Sequence, residues 1–116
     1  MNNIYKKMIA YFESIFIKTK TRLENVKDFP VKNGIYILKE NENVVYIGKA
    51  KDQTIKERCE QYTRIGDTGN TVVKNIMKIE GLSKEESQKK ANKFILNYMI
   101  VEDFSNEHFD METCLI

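Results

Sequence analysis

Two short apolar stretches on either side of a polar break constrain the fold of this chain more than any other feature. They cover residues 34–39 and 44–48, and both are rich in Ile, Val and Tyr, which suit a pleated strand. A hairpin centred on Asn41 would place Tyr36 opposite Tyr46, with both rings on one face. The other face would carry four apolar residues, Ile35, Ile37, Val45 and Ile47. Because both faces are apolar, we expect the hairpin to lie inside a sheet that is covered on both sides.

A helix is predicted directly after the hairpin. Thr54 and Glu57 have capping-box spacing, in which the threonine hydroxyl accepts from the glutamate amide and the carboxylate reaches back. In a helix that begins there, Arg58 and Tyr62 are four residues apart and lie on one face. The basic turn before the helix includes Lys49. The stretch therefore brings three tyrosines, an arginine and a lysine into one small region.

The same residues resemble the GIY-YIG nuclease superfamily. A Gly-Ile-Tyr tripeptide at residues 34–36 is followed by nine residues and then by Tyr-Ile-Gly at residues 46–48. Arg58 and Tyr62 resemble the family's catalytic arginine and its helical partner. The resemblance is close over residues 29–65 and looser up to about residue 106.

This resemblance implies an α+β fold. The implied structure is a small antiparallel sheet, made of the hairpin and a third strand and packed with helices, over residues 29–116. Residues 1–28 would form an added N-terminal helical extension, because apolar side chains at helical spacing predict an amphipathic helix over residues 3–20. That helix is interpreted either as an extra packing layer or as an element for homodimerisation or DNA contact. The basic residues available for the second interpretation are Lys6, Lys7, Lys18, Lys20 and Arg22.

The resemblance also implies a function, the metal-dependent hydrolysis of phosphodiester bonds in DNA by an endonuclease, with RNA not excluded. Tyr36 would be the general base, with Tyr46 as its hydrogen-bonding neighbour and with Lys49 and Arg58 as cations that depress its pKa and contact the substrate. The planar fork of Arg58 would span two phosphoryl oxygens, and Tyr62 would hold the group together. Mg²⁺ or Mn²⁺ would be held by one protein carboxylate, the phosphate and waters.

The metal carboxylate is where the sequence departs from the family pattern. Relatives carry a glutamate in a late helix, followed three and four residues later by two large apolar side chains. Phe94 and Ile95 fill the apolar positions in a helix predicted over residues 84–100, so the glutamate position is Ala91, which cannot bind a metal. An engineered replacement, a naturally degenerate nuclease and a wrong register are three explanations. The first two predict an inactive chain with no metal bound, and the alternative function is a nucleic-acid-binding module that kept the fold and lost catalysis. Asn106 is a weak match to an asparagine that relatives place after the glutamate helix and is a candidate for substrate contact.

The segment between the two helices is ambiguous. Glycines and turn-forming residues predict a loop over 66–70. Apolar spacing predicts a helix over 70–78, although its β-branched residues also suit a strand, and a short strand is expected near 78–82. Ser83 and Glu86 repeat the capping pattern and predict the start of the late helix.

Length and composition set the remaining expectations. A chain of 116 residues builds one domain, and no stretch approaches the roughly 20 apolar residues of a membrane span. Two cysteines far apart favour a reducing cytoplasm over a disulfide framework. The first 100 residues carry a surplus of seven positive charges, whereas the last 16 contain five acids and no base. A basic body suits a phosphate-bearing partner such as DNA.

Overall fold

The computed structural model describes residues 14–101 and the backbone of a two-residue strand at 114–115. It contains one antiparallel sheet with the strand order β1-β4-β2-β3-β5. The strands are β1 (Ile17–Arg22), β2 (Gly34–Glu40), β3 (Asn43–Ala50), β4 (Ile95–Ile100) and β5 (Cys114–Leu115). The helices are α1 (Ile55–Glu60), α2 (Thr71–Glu80) and α3 (Lys84–Asn92), with 3-10 turns at Leu23–Asp28 and Gln61–Thr63. The predicted α+β class, an antiparallel sheet packed with helices, is confirmed.

The central hairpin has the predicted strands but a different register. Tyr36 lies opposite Gly48, and Leu38 lies opposite Tyr46. A two-residue loop, with Asn41 at a φ of 57°, displaces the pairing by one residue, and a bulge after Leu38 displaces it by one more. Either displacement alone would turn the two tyrosines to opposite faces, because side chains alternate along a strand. The two together restore the alternation, so Tyr36 and Tyr46 share a face as expected.

The bulge also changes which valine faces which side of the sheet. Val45 was expected beside Ile35 and Ile37, but it packs against the cluster on the tyrosine face. Val44 packs instead against the cluster that contains Ile35 and Ile37. The physical reason is the extra residue that a bulge inserts into one strand, which reverses the alternation on one side of it.

The hairpin is buried on both faces, as predicted. The larger cluster lies between the tyrosine face and the helices, and it includes Tyr36, Tyr46, Ile55, Val72 and Phe94. The smaller cluster on the opposite face consists of Phe16, Ile35, Ile37, Ile47 and Val101. The tyrosines are therefore part of the principal core of the domain.

The helix predicted over residues 3–20 is wrong for its C-terminal part. Residues 1–13 lie outside the described part of the chain, but Ile17–Arg22 is the edge strand β1, and Ile17 pairs with Tyr98 of β4. The Thr19 hydroxyl also donates to the Leu96 carbonyl over 2.6 Å. Alternating threonines and basic residues suit an edge strand whose polar side faces solvent. A homodimer formed through the N-terminal helix stays a prediction.

The late helix is half as long as predicted. It begins after Ser83, whose hydroxyl accepts from the Glu86 amide over 3.1 Å, but it ends at Asn92. Residues 95–100, predicted as its last turns, form β4 and pair with residues 34–39 of β2. The run from Ile95 to Ile100 is apolar enough for a helix face or a buried strand, and the open edge of β2 selects the strand.

The prediction of a helix over residues 70–78 is confirmed by α2, whereas the strand near 78–82 is wrong. The Asn70 side chain caps the start of α2 by accepting from the Val73 amide over 3.2 Å. Gly81 ends the helix with a φ of 68°, and its amide donates to the Met77 carbonyl. A left-handed glycine after the last turn is a common helix terminator.

Within residues 14–101, no helix has the length and apolar character needed to span a bilayer.

Candidate active site

Four hydroxyl groups form a continuous chain on the helix-covered face of the sheet. Tyr36 Oη lies 2.6 Å from Tyr62 Oη. Tyr62 Oη donates to Tyr46 Oη over 3.3 Å, and Tyr46 Oη lies 2.8 Å from Thr71 Oγ1. The three tyrosines are buried, and Thr71 is half-buried. The structure therefore brings together the three tyrosines that were expected to converge and adds a threonine that was not.

The tyrosine rings also contact one another. The Tyr46 and Tyr62 ring centroids are 5.4 Å apart at an interplanar angle of 68°, an edge-to-face arrangement. Tyr36 lies nearly parallel to Tyr46, with centroids 6.5 Å apart. Such aromatic contacts are favourable beyond the area that they bury. Ring packing thus holds the hydroxyl groups in place independently of their hydrogen bonds.

Both motif glycines are required by close packing. A side-chain carbon at Gly48 would collide with the ring and hydroxyl of Tyr36, which lies directly opposite on β2. A side-chain carbon at Gly34 would collide with the Met99 carbonyl of β4. The Tyr36 hydroxyl therefore occupies space that only a glycine at position 48 leaves free.

Arg58 lies against the tyrosine cluster from α1. Its guanidinium carbon is 5.6 Å from the centroid of the Tyr62 ring, within cation–π range, and its Nη1 donates to Gln61 Oε1 over 2.6 Å. The capping box of α1 is present as predicted, since Thr54 Oγ1 accepts from the Glu57 amide and the Glu57 carboxylate accepts from the Thr54 amide. This cap fixes the start of the helix and hence the turn from which Arg58 projects.

The electrostatics of the cluster differ from the expectation for a general base. Burial raises the pKa of Tyr36 well above its ordinary value, and Cys59 and Tyr62 act in the same direction. Burial also raises the pKa of Tyr62. The expected depression of the Tyr36 pKa by cations is therefore wrong, because low dielectric favours the neutral phenol. Partial burial lowers the pKa of Arg58, but the neighbouring tyrosine hydroxyls together outweigh burial and raise it.

Two buried amide side chains, Asn70 and Gln88, connect the segment after α1 to α2 and α3 by hydrogen bonds. Gln88 Nε2 donates to the Tyr62 carbonyl over 2.8 Å, and Gln88 Oε1 accepts from Asn70 Nδ2 over 3.0 Å. Asn70 Nδ2 also donates to the Arg64 carbonyl over 3.0 Å. Buried amides that are hydrogen-bonded in this way specify one packing arrangement. Tyr62 is therefore held at its backbone as well as at its hydroxyl.

One further candidate residue, Lys49, is not brought to the cluster. Lys49 pairs with Ile35, and strand alternation places it on the face opposite Tyr36. Its role as a cation beside Tyr36 stays a prediction without support from the strand geometry. Asn106 lies outside the described residues.

Ala91 does not occupy the position that was assigned to it. The helix around it ends one residue later, Phe94 follows that end and Ile95 is the first residue of β4. The spacing of a helical glutamate with two apolar residues in the following turn therefore does not apply. Ala91 is fully buried in the principal core. The helical register that assigned the glutamate position to Ala91 is therefore wrong.

The sequence contains another match to the glutamate pattern. Glu112 precedes Leu115 and Ile116 by three and four residues, but Leu115 lies in strand β5, so the match is one of sequence spacing and not of helical geometry. Glu112 itself lies outside the described residues, two positions before the strand in which Cys114 pairs with Ile47. Residues 14–101 contain no group of three or more His, Cys, Asp or Glu side chains able to hold a metal ion.

The comparisons with known proteins give one local similarity. The chain is 41% identical over 56 residues to UvrABC system protein C of Fusobacterium nucleatum subsp. nucleatum, and the match covers 46% of this chain and 9% of that protein. The chain thus matches less than a tenth of that relative's length. No protein-family model and no solved structure matches the sequence.

Proposed function

We propose that this chain carries a GIY-YIG-type endonuclease site that hydrolyses phosphodiester bonds of DNA. The observation that carries the proposal is the contact of Arg58 with the ring of Tyr62, whose hydroxyl is hydrogen-bonded to those of Tyr36 and Tyr46. These residues come from α1, two strands and a 3-10 turn, and they match the family motif in type and spacing. The local similarity to UvrABC system protein C adds support.

Each residue has a role that its surroundings suit. Arg58 is half-buried, so its guanidinium can reach a phosphoryl group from solvent and neutralise charge that develops on the oxygens. Tyr36 would accept the proton of the attacking water, a role that needs a positioned oxygen. Because Tyr36 has no exposed surface, a water molecule must enter the cluster beside Arg58 when the substrate binds.

The divalent ion of this proposal would be held by Glu112. One carboxylate, the substrate phosphate and waters form a common ligand set for Mg²⁺, so a single glutamate is sufficient. Bound there, the ion would stabilise negative charge on the phosphoryl oxygens. The chain is then expected to be active, in contrast to the inactive form that follows from an alanine at the metal position.

A cleavage assay tests the proposal. The chain is incubated with supercoiled plasmid and with end-labelled duplex DNA in Mg²⁺ or Mn²⁺, with a chelator control and a matched RNA duplex. We expect metal-dependent nicking of DNA that is lost in Arg58→Ala and in Glu112→Gln, while folded Ala91→Ser retains it. Nicking by Arg58→Ala at the rate of the parent would refute the assignment.

A second candidate function is nucleic-acid binding without cleavage. The burial of the three tyrosines and the raised pKa of Tyr36 favour it, because both oppose the phenolate form that accepts a proton most readily. Duplex affinity would then fall steeply between about 50 and 200 mM salt, as counterion release requires, with no product in any metal. Affinity that is independent of salt would exclude phosphate contacts in both functions. Both proposals place the protein in the cytoplasm with DNA as its partner.

A further inference from the structure

Thr71 is the residue at the tyrosine cluster to which neither the motif nor the comparisons assign a role. It is the first residue of α2, directly after the Asn70 cap, and its hydroxyl lies 2.8 Å from that of Tyr46. It is half-buried, whereas the three tyrosines that are hydrogen-bonded in the cluster, Tyr36, Tyr46 and Tyr62, are buried. The hydroxyl chain therefore begins at buried Tyr36 and ends at Thr71, near solvent.

The hydrogen bonds of the four hydroxyls can all run in one direction. Each hydroxyl has one proton to donate, and Tyr62 uses its proton on Tyr46. The 2.6 Å bond between Tyr36 and Tyr62 must then be donated by Tyr36. Tyr46, which accepts from Tyr62, has its own proton available for Thr71 Oγ1. The result is that Tyr36 donates inward to Tyr62, while its remaining lone pair faces the guanidinium of Arg58.

We propose that Thr71 is a positioning residue that fixes this direction and forms the solvent end of a proton relay from Tyr36. This proposal rests on the proposed function. As water attacks phosphorus, its proton passes to Tyr36, and one proton moves along each link from Tyr36 through Tyr62 and Tyr46 to Thr71 and then to solvent. The new bond joins the water oxygen to phosphorus, the bond to the leaving oxygen breaks, and the leaving oxygen takes a proton from solvent. Every relay oxygen gains one proton and loses one.

A relay explains how Tyr36 can accept a proton although it is buried as a neutral phenol. A phenolate in the core is unfavourable, as the raised pKa of Tyr36 indicates, but a relay never holds one, because each hydroxyl passes its proton on as it receives another. The link from Tyr62 to Tyr46, at 3.3 Å, is longer than an ordinary hydroxyl hydrogen bond. It is therefore the link most sensitive to the orientation of the Tyr46 hydroxyl, which Thr71 sets.

The test removes one hydroxyl without changing the shape of the side chain. Thr71→Val deletes the acceptor, and Thr71→Ser restores it. Thr63→Val is the matched control, since the Thr63 hydroxyl lies beside Tyr62 in sequence but donates to the Glu60 carbonyl over 2.7 Å. Two measurements are made on each folded variant: the single-turnover cleavage rate, and the NMR shifts of tyrosine ring carbons labelled at the hydroxyl-bearing position.

We expect Thr71→Val to lower the cleavage rate about 10- to 100-fold, as loss of a supporting partner usually does, with little change in DNA affinity. The Tyr46 and Tyr36 carbon signals should shift in Thr71→Val and return in Thr71→Ser, and Thr63→Val should change neither rate nor signals. Unchanged tyrosine signals in Thr71→Val would overturn the proposal. If the parent itself does not cleave, the proposed function fails, and the NMR signals still decide whether Thr71 sets the hydrogen-bond direction.

Discussion

The hydroxyl of Tyr36 in β2 lies 2.6 Å from the hydroxyl of Tyr62, which follows it by 26 residues in a 3-10 turn. This bond connects the centre of the sheet to the segment that carries Arg58. Both tyrosines are fully buried, so their hydroxyls are shielded from solvent in the free protein. The behaviour of Tyr36 variants therefore separates a structural tyrosine from a reactive one.

Tyr36→Phe is expected to reduce cleavage about 10²- to 10⁴-fold, the usual contribution of a positioned base. The free energy of unfolding should fall by only about 1 kcal/mol, because the ring stays and one hydrogen bond is lost. Cleavage kinetics and urea unfolding measure the two effects. Tyr98→Phe, the same change on the residue opposite Tyr36 in β4, is the control and should cleave normally. Near-normal turnover in Tyr36→Phe would leave Tyr36 as a core residue only.

Gly48→Ala is expected to destabilise the fold by about 1–3 kcal/mol, because the new methyl group overlaps the Tyr36 ring. Tyr36→Leu shortens the side chain that causes the overlap. The double variant should therefore be more stable than the sum of the two single changes predicts. Urea unfolding of all four proteins measures the coupling. Strict additivity would show that Gly48 is not required by the tyrosine.

Arg58→Lys keeps the positive charge but removes the planar fork and weakens the contact with the Tyr62 ring. We expect cleavage to fall at least tenfold while the salt dependence of DNA binding changes little. Arg64→Lys is the matched control, because Arg64 is largely exposed. Its Nη1 lies 3.7 Å from Oδ2 of Asp67. Equal effects of the two substitutions on the cleavage rate would mean that Arg58 contributes charge alone.

The raised pKa values of Tyr36 and Tyr62 predict a loss of stability in alkali. Below pH 10 the folded and unfolded chains both hold these protons, and the contribution to stability is complete. Above pH 10 the unfolded chain releases them first, so the free energy of unfolding falls until the pH passes the folded values. Well above pH 10, Tyr36→Phe should reduce this slope by up to about 1.4 kcal/mol per pH unit, which corresponds to one proton. An unchanged slope relative to the parent, measured by urea unfolding from pH 9 to 11, would contradict the raised pKa of Tyr36.

Ala91→Glu is expected to destabilise the domain by about 2–5 kcal/mol without producing new cleavage. Ala91 has no exposed surface, so a glutamate there brings both excess volume and an unpaired carboxyl group into the core. Lys93→Glu, on an exposed residue just after α3, adds the same side chain at little cost. Thermal unfolding distinguishes the two. A stable Ala91→Glu protein with stronger metal-dependent cleavage would restore the original assignment of Ala91.

The sequence by itself determined the local features of the site. The two strands of the hairpin, the Thr54 cap and the pairing of Arg58 with Tyr62 follow from alternation, capping spacing and helical spacing within about ten residues. The placement of Tyr36 and Tyr46 on one face follows from the hairpin, whereas the contact of Tyr62 with both is a tertiary one. The local features are predictable because each depends on neighbours in the chain rather than on distant partners.

Only the tertiary structure decided the features that depend on what lies across the sheet. The run from Ile95 to Ile100 suits a helix face and a buried strand equally, and it becomes β4 because β2 offers an unpaired edge. Because Ile95 belongs to β4 and not to a helix, Ala91 does not have the helical spacing on which the metal position was predicted. Three other properties were also not predictable from the local sequence: the hairpin register, the partner of Tyr46 and the pKa of Tyr36. Pairing across a bulge, a hydroxyl contributed by α2 and the dielectric of a packed core all arise from residues far away in sequence, whose positions the local pattern does not contain.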